Sequence, residues 1–307
     1  MYWTRGKTLG AGGFGFVSIA KTHQESGDDV NIPEVVAVKS AELSHSKSLS
    51  KEKELLNKFN ACPCILRCFG DQVTTENGQQ LYNILLEYAP GGCLSDLILT
   101  AGGKGLPENV VSHYTKSLLT ALIHIHKLGY VHCDVKPHNV LLFGQDSKLA
   151  DFGSCKRIDV DDGDDDFRGT VLYAAPESIA RREYLPESDI WALGCTVLYM
   201  LTGKAPWKFD KDAAAKDVLM MIGCSDKIPA ISSGRRVSEE ARDFLRKCFV
   251  KDPTARWKGE MLLDHPFVKM GGDRRHHHRR HHHLSSRLHS FLLRCFHVSK
   301  PNAVHAC

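Results

Sequence analysis

Within one run of eight residues, His132-Cys133-Asp134-Val135-Lys136-Pro137-His138-Asn139, an aspartate is followed by a lysine two positions later and an asparagine five positions later. An aspartate so placed can accept the proton of a hydroxyl group. The lysine can neutralise charge on a moving phosphoryl group and the asparagine can hold a magnesium ion, so the chemistry that suits the trio is phosphoryl transfer. Taken alone, the run describes a solvated polar turn equally well.

The elements needed to position such chemistry can be traced upstream. Leu9 and Gly10-Ala11-Gly12-Gly13-Phe14-Gly15-Phe16-Val17 read as two strands joined by a glycine-rich hairpin, in which Gly10, Gly12 and Gly15 let backbone amides approach a polyphosphate without Cβ obstruction. A dinucleotide-binding fold would need a helix directly after the glycines, whereas Phe16 to Ala20 reads as a second strand. Val35-Val36-Ala37-Val38-Lys39 is a β-branched strand that ends in an amine. Residues 51–59 have the spacing of a helix, with Leu55, Leu56 and Phe59 as its apolar stripe. Glu52 lies at the inward edge of that stripe and can pair with Lys39, while Lys51, Lys53 and Glu54 read as solvated charges. Downstream, Asp151-Phe152-Gly153 comes seventeen residues after Asp134 and can bridge magnesium to phosphates; Gly169-Thr170 and Ala175-Pro176-Glu177 close the segment that follows.

Six motifs in this order resemble a eukaryotic protein kinase across residues 3–268. Lys136 followed by Pro137 resembles the serine/threonine branch. Tyr2-Trp3-Thr4-Arg5-Gly6, the His-Cys-Asp-Val-Lys string and Glu187 to Thr196 are similar to plant mitogen-activated protein kinase kinase kinases. The resemblance implies an α+β, bilobal protein-kinase fold: a small, mostly β N-lobe (about 3–87) with one regulatory helix, a hinge (about 87–91) and a larger, mostly helical C-lobe (about 92–268). It implies Asp134, Lys136, Lys39 and Glu52 as catalytic residues, and Asn139 and Asp151 as magnesium ligands. ATP would lie against Leu9, Gly10, Ala11, Gly12, Gly13, Phe14, Gly15, Val17, Ala37, Lys39, Leu86, Glu87, Ala89 and Leu141, with the Glu87-Tyr88-Ala89 backbone hydrogen-bonding adenine. Asp189 would cap the catalytic loop and Arg256 would pair with Glu177, both in structural roles. The implied activity is ATP-dependent phosphorylation of Ser/Thr on a downstream MAP kinase kinase; a pseudokinase or scaffold is the alternative, which replacement of Lys39, Glu52, Asp134, Asn139 or Asp151 would have favoured.

Composition agrees with a two-lobed enzyme. The 307 residues are 42% hydrophobic, and no apolar secretory stretch follows Met1, so a cytoplasmic or nuclear location is expected. Ile190 to Leu201 is too short to span a membrane, which needs roughly 18 apolar residues, and no membrane partner is expected. The eleven cysteines are scattered and odd in number, so reduced thiols are expected; a redox role is conceivable for Cys133 and Cys155. The 269–307 segment carries eight Lys and Arg against Asp273 alone, a charge of +7 beside a total of +4, so the first 268 residues are slightly acidic at −3. Its Arg274 to His283 run is low in complexity and reads as disordered. It could bind an acidic partner, and it matches no folded nucleic-acid-binding motif.

One residue departs from the family pattern. Protein kinases usually carry Arg where this chain has Cys133, and that Arg helps to bind a phosphate on the activation segment. Between Ser154 and Thr170 there is no Ser, Thr or Tyr, but there are Asp159, Asp161, Asp162, Asp164, Asp165 and Asp166. A missing phosphate receptor beside a missing phosphate acceptor predicts activation without phosphorylation in that interval.

Overall fold

The computed structural model describes residues 2–12, 15–23, 32–160, 166–209, 214–231 and 237–270. Five antiparallel strands come first: β1 (Tyr2–Gly12), β2 (Gly15–His23), β3 (Val35–Glu42), β4 (Cys68–Glu76) and β5 (Gln79–Glu87), in the order β1-β2-β3-β5-β4. The β1–β2 register pairs Gly12 with Gly15 and Val17 with Gly10, so the glycine-rich run does turn between two strands. Gly15 has φ 120°, and a Cβ there would stand 2.0 Å from the Ser40 carbonyl oxygen of β3. Its lack of a side chain is therefore needed for packing against β3. At Gly10 and Gly12 an added Cβ would meet only open space.

Helix α1 (Lys47–Lys58) lies between β3 and β4 and buries Leu49, Glu52, Leu55 and Leu56. It starts four residues before the predicted boundary. On the other face of the sheet, Ala20, Ile32, Val36, Val38 and Leu85 form a separate small core. Arg5 fastens that side, donating to Glu76 through two bonds of 2.8 Å, to Ser40 at 3.0 Å and to Asn83 at 2.9 Å.

After Tyr88–Gly92 the chain becomes mostly helical: α2 (Leu94–Thr100), α3 (Glu108–Lys127), α4 (Pro176–Arg181), α5 (Pro186–Thr202), α6 (Ala215–Gly223) and α7 (Glu239–Cys248). Helix α5 is mostly apolar and is buried from Ser188 to Leu198, with α3 and α7 packed against it. Each fully buried large side chain here, such as Trp191 or Leu118, contributes about 1.5–3 kcal/mol. Short strands β6 (Tyr130–Val131), β7 (Val140–Phe143), β8 (Asp146–Leu149) and β9 (Lys156–Arg157) carry the loops of the site; β6 pairs with β9 and β7 with β8. No helix among the described residues is long and apolar enough to cross a membrane.

Candidate active site

Register places the first charged group. Lys39 lies opposite Val17 of β2 and Ile84 of β5, and its side chain reaches out of the sheet towards α1. Its Nζ donates to Glu52 Oε2 at 2.6 Å and to Asp151 Oδ1 at 2.9 Å. Burial alone would lower the Lys39 pKa, but two carboxylates outweigh it and hold the amine charged well above its usual range. Burial pushes the Glu52 carboxyl up, opposed by the Lys39 ammonium and by the Phe152 N–H that also donates to it. For Asp151 burial acts upward too, yet Lys39 prevails and holds its carboxyl below the usual range. The Asp151 side chain keeps 45% of its surface open, against 3% for Glu52.

The second cluster lies on the loop after β6. Asp134 Oδ1 accepts from Thr170 Oγ1 at 2.8 Å, and Asp134 Oδ2 accepts from Lys136 Nζ at 2.7 Å and Asn139 Nδ2 at 3.0 Å. Lys136 also donates to Thr170 at 2.7 Å. Thr170 thus completes the cluster, touching the aspartate and lysine as the family resemblance implies for that position. Gly169 (φ 95°) makes this possible, because a Cβ there would stand 2.2 Å from the Cys133 carbonyl oxygen. Cys133 and Asp151 are non-glycine residues with positive φ, 68° and 62°, and backbone strain of this kind persists only where surroundings impose it. The Asp189 carboxylate imposes it at Cys133, accepting from the His132 N–H at 2.8 Å and the Cys133 N–H at 3.0 Å, the capping role read from the sequence. His132 is fully buried and packs edge-on against Phe152, which rests on Phe59 of α1.

The residues expected to enclose a nucleotide divide by burial. Ala37 and Leu86 are buried in the main core, and Val17 and Leu141 pack against it, whereas Leu9, Gly10, Ala11 and Gly12 are exposed. Gly13 and Phe14 lie outside the described residues. Two of the Glu87–Ala89 backbone groups are already engaged: the Glu87 N–H donates to Arg67 O at 2.9 Å and the Ala89 carbonyl accepts from Gly92 at 3.2 Å. The Glu87 carboxylate is tied to Lys148 at 2.7 Å and 2.8 Å. A separate cavity of about 420 Å³, lined by Glu177, Arg181, Cys224, Lys251 and Asp252 among others, contains none of the candidate nucleotide or base residues.

Two sequence readings are revised by this geometry. Lys51 and Lys53 are not merely solvated: Lys51 Nζ donates to the Cys155 carbonyl at 2.8 Å and Lys53 pairs with Asp71 at 2.9 Å. The thiols beside the site are poor nucleophiles, since burial pushes both Cys133 and Cys155 up, Asp189 adds to it, and the thiolate is the reactive form.

Residues 3–268 match the protein kinase domain family, and the chain belongs to it. It is 45% identical over 273 residues to mitogen-activated protein kinase kinase kinase 20 of Arabidopsis thaliana, covering 87% of this chain and 78% of that protein. It is 40% identical over 275 residues to kinase kinase kinase 18 (87% and 78%) and 39% over 271 residues to kinase kinase kinase 17 (87% and 70%) of the same plant. The chain is a serine/threonine protein kinase of the mitogen-activated protein kinase kinase kinase type. The pseudokinase alternative is not favoured, since none of the five residues whose loss would have argued for it is replaced.

Proposed function

We propose that this kinase transfers the γ-phosphoryl group of ATP to a serine or threonine hydroxyl of a downstream MAP kinase kinase. The observation that carries this reading is the joint closure of two clusters, Lys39 on Glu52 and Asp151 and Asp134 on Lys136 and Thr170. In this reading Asp134 receives the hydroxyl proton of the acceptor, Lys136 offsets charge on the phosphoryl group in flight, and Lys39, braced by Glu52, holds the nucleotide phosphates. Gly10, Gly12 and Gly15 with Leu9, Ala11, Gly13, Phe14 and Val17 cover the nucleotide, while Ala37, Leu86 and Leu141 enclose the base and the Glu87 carbonyl and Ala89 N–H select it. Residues 87–91 act as the hinge between the lobes, about 3–87 and 92–268.

The donor set fits magnesium, which prefers oxygen ligands and keeps several waters. Asn139 turns its amide nitrogen to Asp134, at 2.8 Å to the carbonyl and 3.0 Å to the carboxylate, so its amide oxygen is directed away from them. The Asp151 side chain is partly exposed. These two residues would hold the ion, whose charge when bound neutralises the phosphates. The basic tail of residues 269–307 lies outside the described residues apart from Lys269 and Met270 and is proposed to contact acidic partners.

The test is phosphate transfer from γ-labelled ATP to a recombinant plant MAP kinase kinase that has itself been inactivated, with Asp134→Asn as control. Transfer by the unmodified chain and a loss of about 10²–10⁴-fold in the variant are expected. Equal incorporation by both proteins would remove Asp134 from its role.

A further inference from the structure

One face of α1 tracks the start of the activation segment residue by residue. A Cβ on Gly153 would lie 3.3 Å from Ser48 Oγ, Glu52 accepts from the Phe152 N–H, and Phe59 packs on Phe152. Lys51 lies on the same face, three residues after Ser48, and its Nζ donates to the Cys155 carbonyl at 2.8 Å. The segment beyond is pinned to the helical lobe by the β6–β9 pairing and by the Ile158 N–H donating to Gly129 O at 2.9 Å. Its far end is held by Thr170 on Asp134 and Lys136, where Gly169 passes too close to the Cys133 carbonyl to carry a side chain. Residues 155–169 contain no hydroxyl that could carry a phosphate, and Cys133 cannot bind one.

We propose that Lys51 is a positioning residue of this kinase: by gripping the Cys155 carbonyl it couples α1, and with it Glu52, to the ordered start of the activation segment without phosphorylation. The inference rests on the catalytic reading above, because Lys51 acts only through the Glu52–Lys39 pair. A charge-assisted hydrogen bond to a fixed carbonyl suits the task, since it needs no second charged group on a segment otherwise rich in aspartate.

The experiment compares the full chain with Lys51→Met, which keeps the alkyl stem and removes the donor, and Lys51→Arg, which restores a cationic donor. Phosphate transfer to an inactivated plant MAP kinase kinase is measured before and after phosphatase treatment. Lys51→Met should lower kcat about tenfold with KM for the acceptor protein changed less than about twofold and an unaltered thermal midpoint, Lys51→Arg should recover most of the loss, and phosphatase should leave the unmodified chain unchanged. Hydrogen exchange, which needs no activity, should quicken at the Lys156, Arg157 and Ile158 amides in Lys51→Met. Unmodified kcat and exchange in Lys51→Met, or an arginine variant no better than methionine, would overturn the proposal. So would a phosphatase-treated chain that drops to the methionine level. No transfer by the unmodified chain would overturn the catalytic reading instead, and unchanged exchange would then dispose of the Lys51 link independently.

Discussion

Two buried ion networks sit in this molecule and solve opposite problems. Arg256 and Glu177 are sealed, with side chains 0% and 1% exposed, and every donor finds a fixed acceptor. Arg256 reaches Glu177 at 2.7 Å and 3.1 Å and the carbonyls of Val250, Glu187 and Lys251, while Ser188 donates to Glu177 at 2.8 Å. The Lys39 network sets one cation between two carboxylates and leaves Asp151 partly exposed. A satisfied pair has no capacity left for a ligand and serves to fix α4 against α5. The open network leaves the Asp151 carboxylate partly exposed on a backbone held at positive φ, so it keeps the capacity for a further partner that the sealed pair lacks.

The sharpest way to break this comparison is Lys39→Met. Removing a preorganised charge should cost about 10²–10³-fold in phosphate transfer, with the urea-unfolding midpoint scarcely changed; a large stability loss with retained activity would show that both networks are structural. Arg256→Met should do the reverse. Stripping one partner from a buried pair costs about 3–5 kcal/mol, read by denaturant unfolding, while kcat per folded molecule stays within a few-fold.

A double substitution refines the second case. Glu177→Leu with Arg256→Met removes the stranded charge, so it should be less destabilising than Arg256→Met alone; a simple sum of the two single effects would deny that burial of an unpaired charge sets the cost. The smallest effect concerns pH. Burial raises Glu52, so the folded state binds that proton more tightly than the unfolded chain, and this contribution to stability is present below the ordinary value of 4.5 and is lost as pH rises through the raised one. Asp151, depressed from 3.8, contributes with the opposite sign: present above that value and lost as pH falls through the lower one. Glu52→Gln should therefore flatten the alkaline-going decline, measured by unfolding from pH 4 to 8, and leave the acid limb due to Asp151. An unchanged profile would mean that Glu52 keeps its ordinary pKa.

Much of the site was legible before any coordinates. Short-range spacing carried Asp134, Lys136 and Asn139, since residues two and five apart on one loop have to be neighbours, and stripe position singled out Glu52 on α1. The same stripe logic misjudged Lys51, because its partner is a backbone carbonyl 104 positions away and main-chain acceptors leave no mark on composition. Thr170 was legible as a partner of Asp134 and Lys136 only through the family resemblance, since no local spacing brings residues 34 and 36 positions apart together. Gly15 was read as making room for phosphate, whereas it first makes room for Ser40. At Glu87 the N–H was already engaged by Arg67, which only strand placement could reveal.

What the sequence by itself determined was the inventory and local order: a glycine hairpin, a strand ending in Lys39, a helix offering Glu52, a loop with Asp134, Lys136 and Asn139, and an activation segment with no hydroxyl between Ser154 and Thr170 and cysteine in place of the arginine receptor. These follow from side-chain chemistry and from the periods of helix and strand, which act over a few residues. Tertiary structure decided which distant groups meet: Asp151 with Lys39, Thr170 with Asp134, Lys51 with Cys155. Those meetings depend on how α5, buried on all sides, orients the loops around it and on where two positive-φ residues turn the backbone. Packing of a whole core sets such positions, and no short window of sequence contains it.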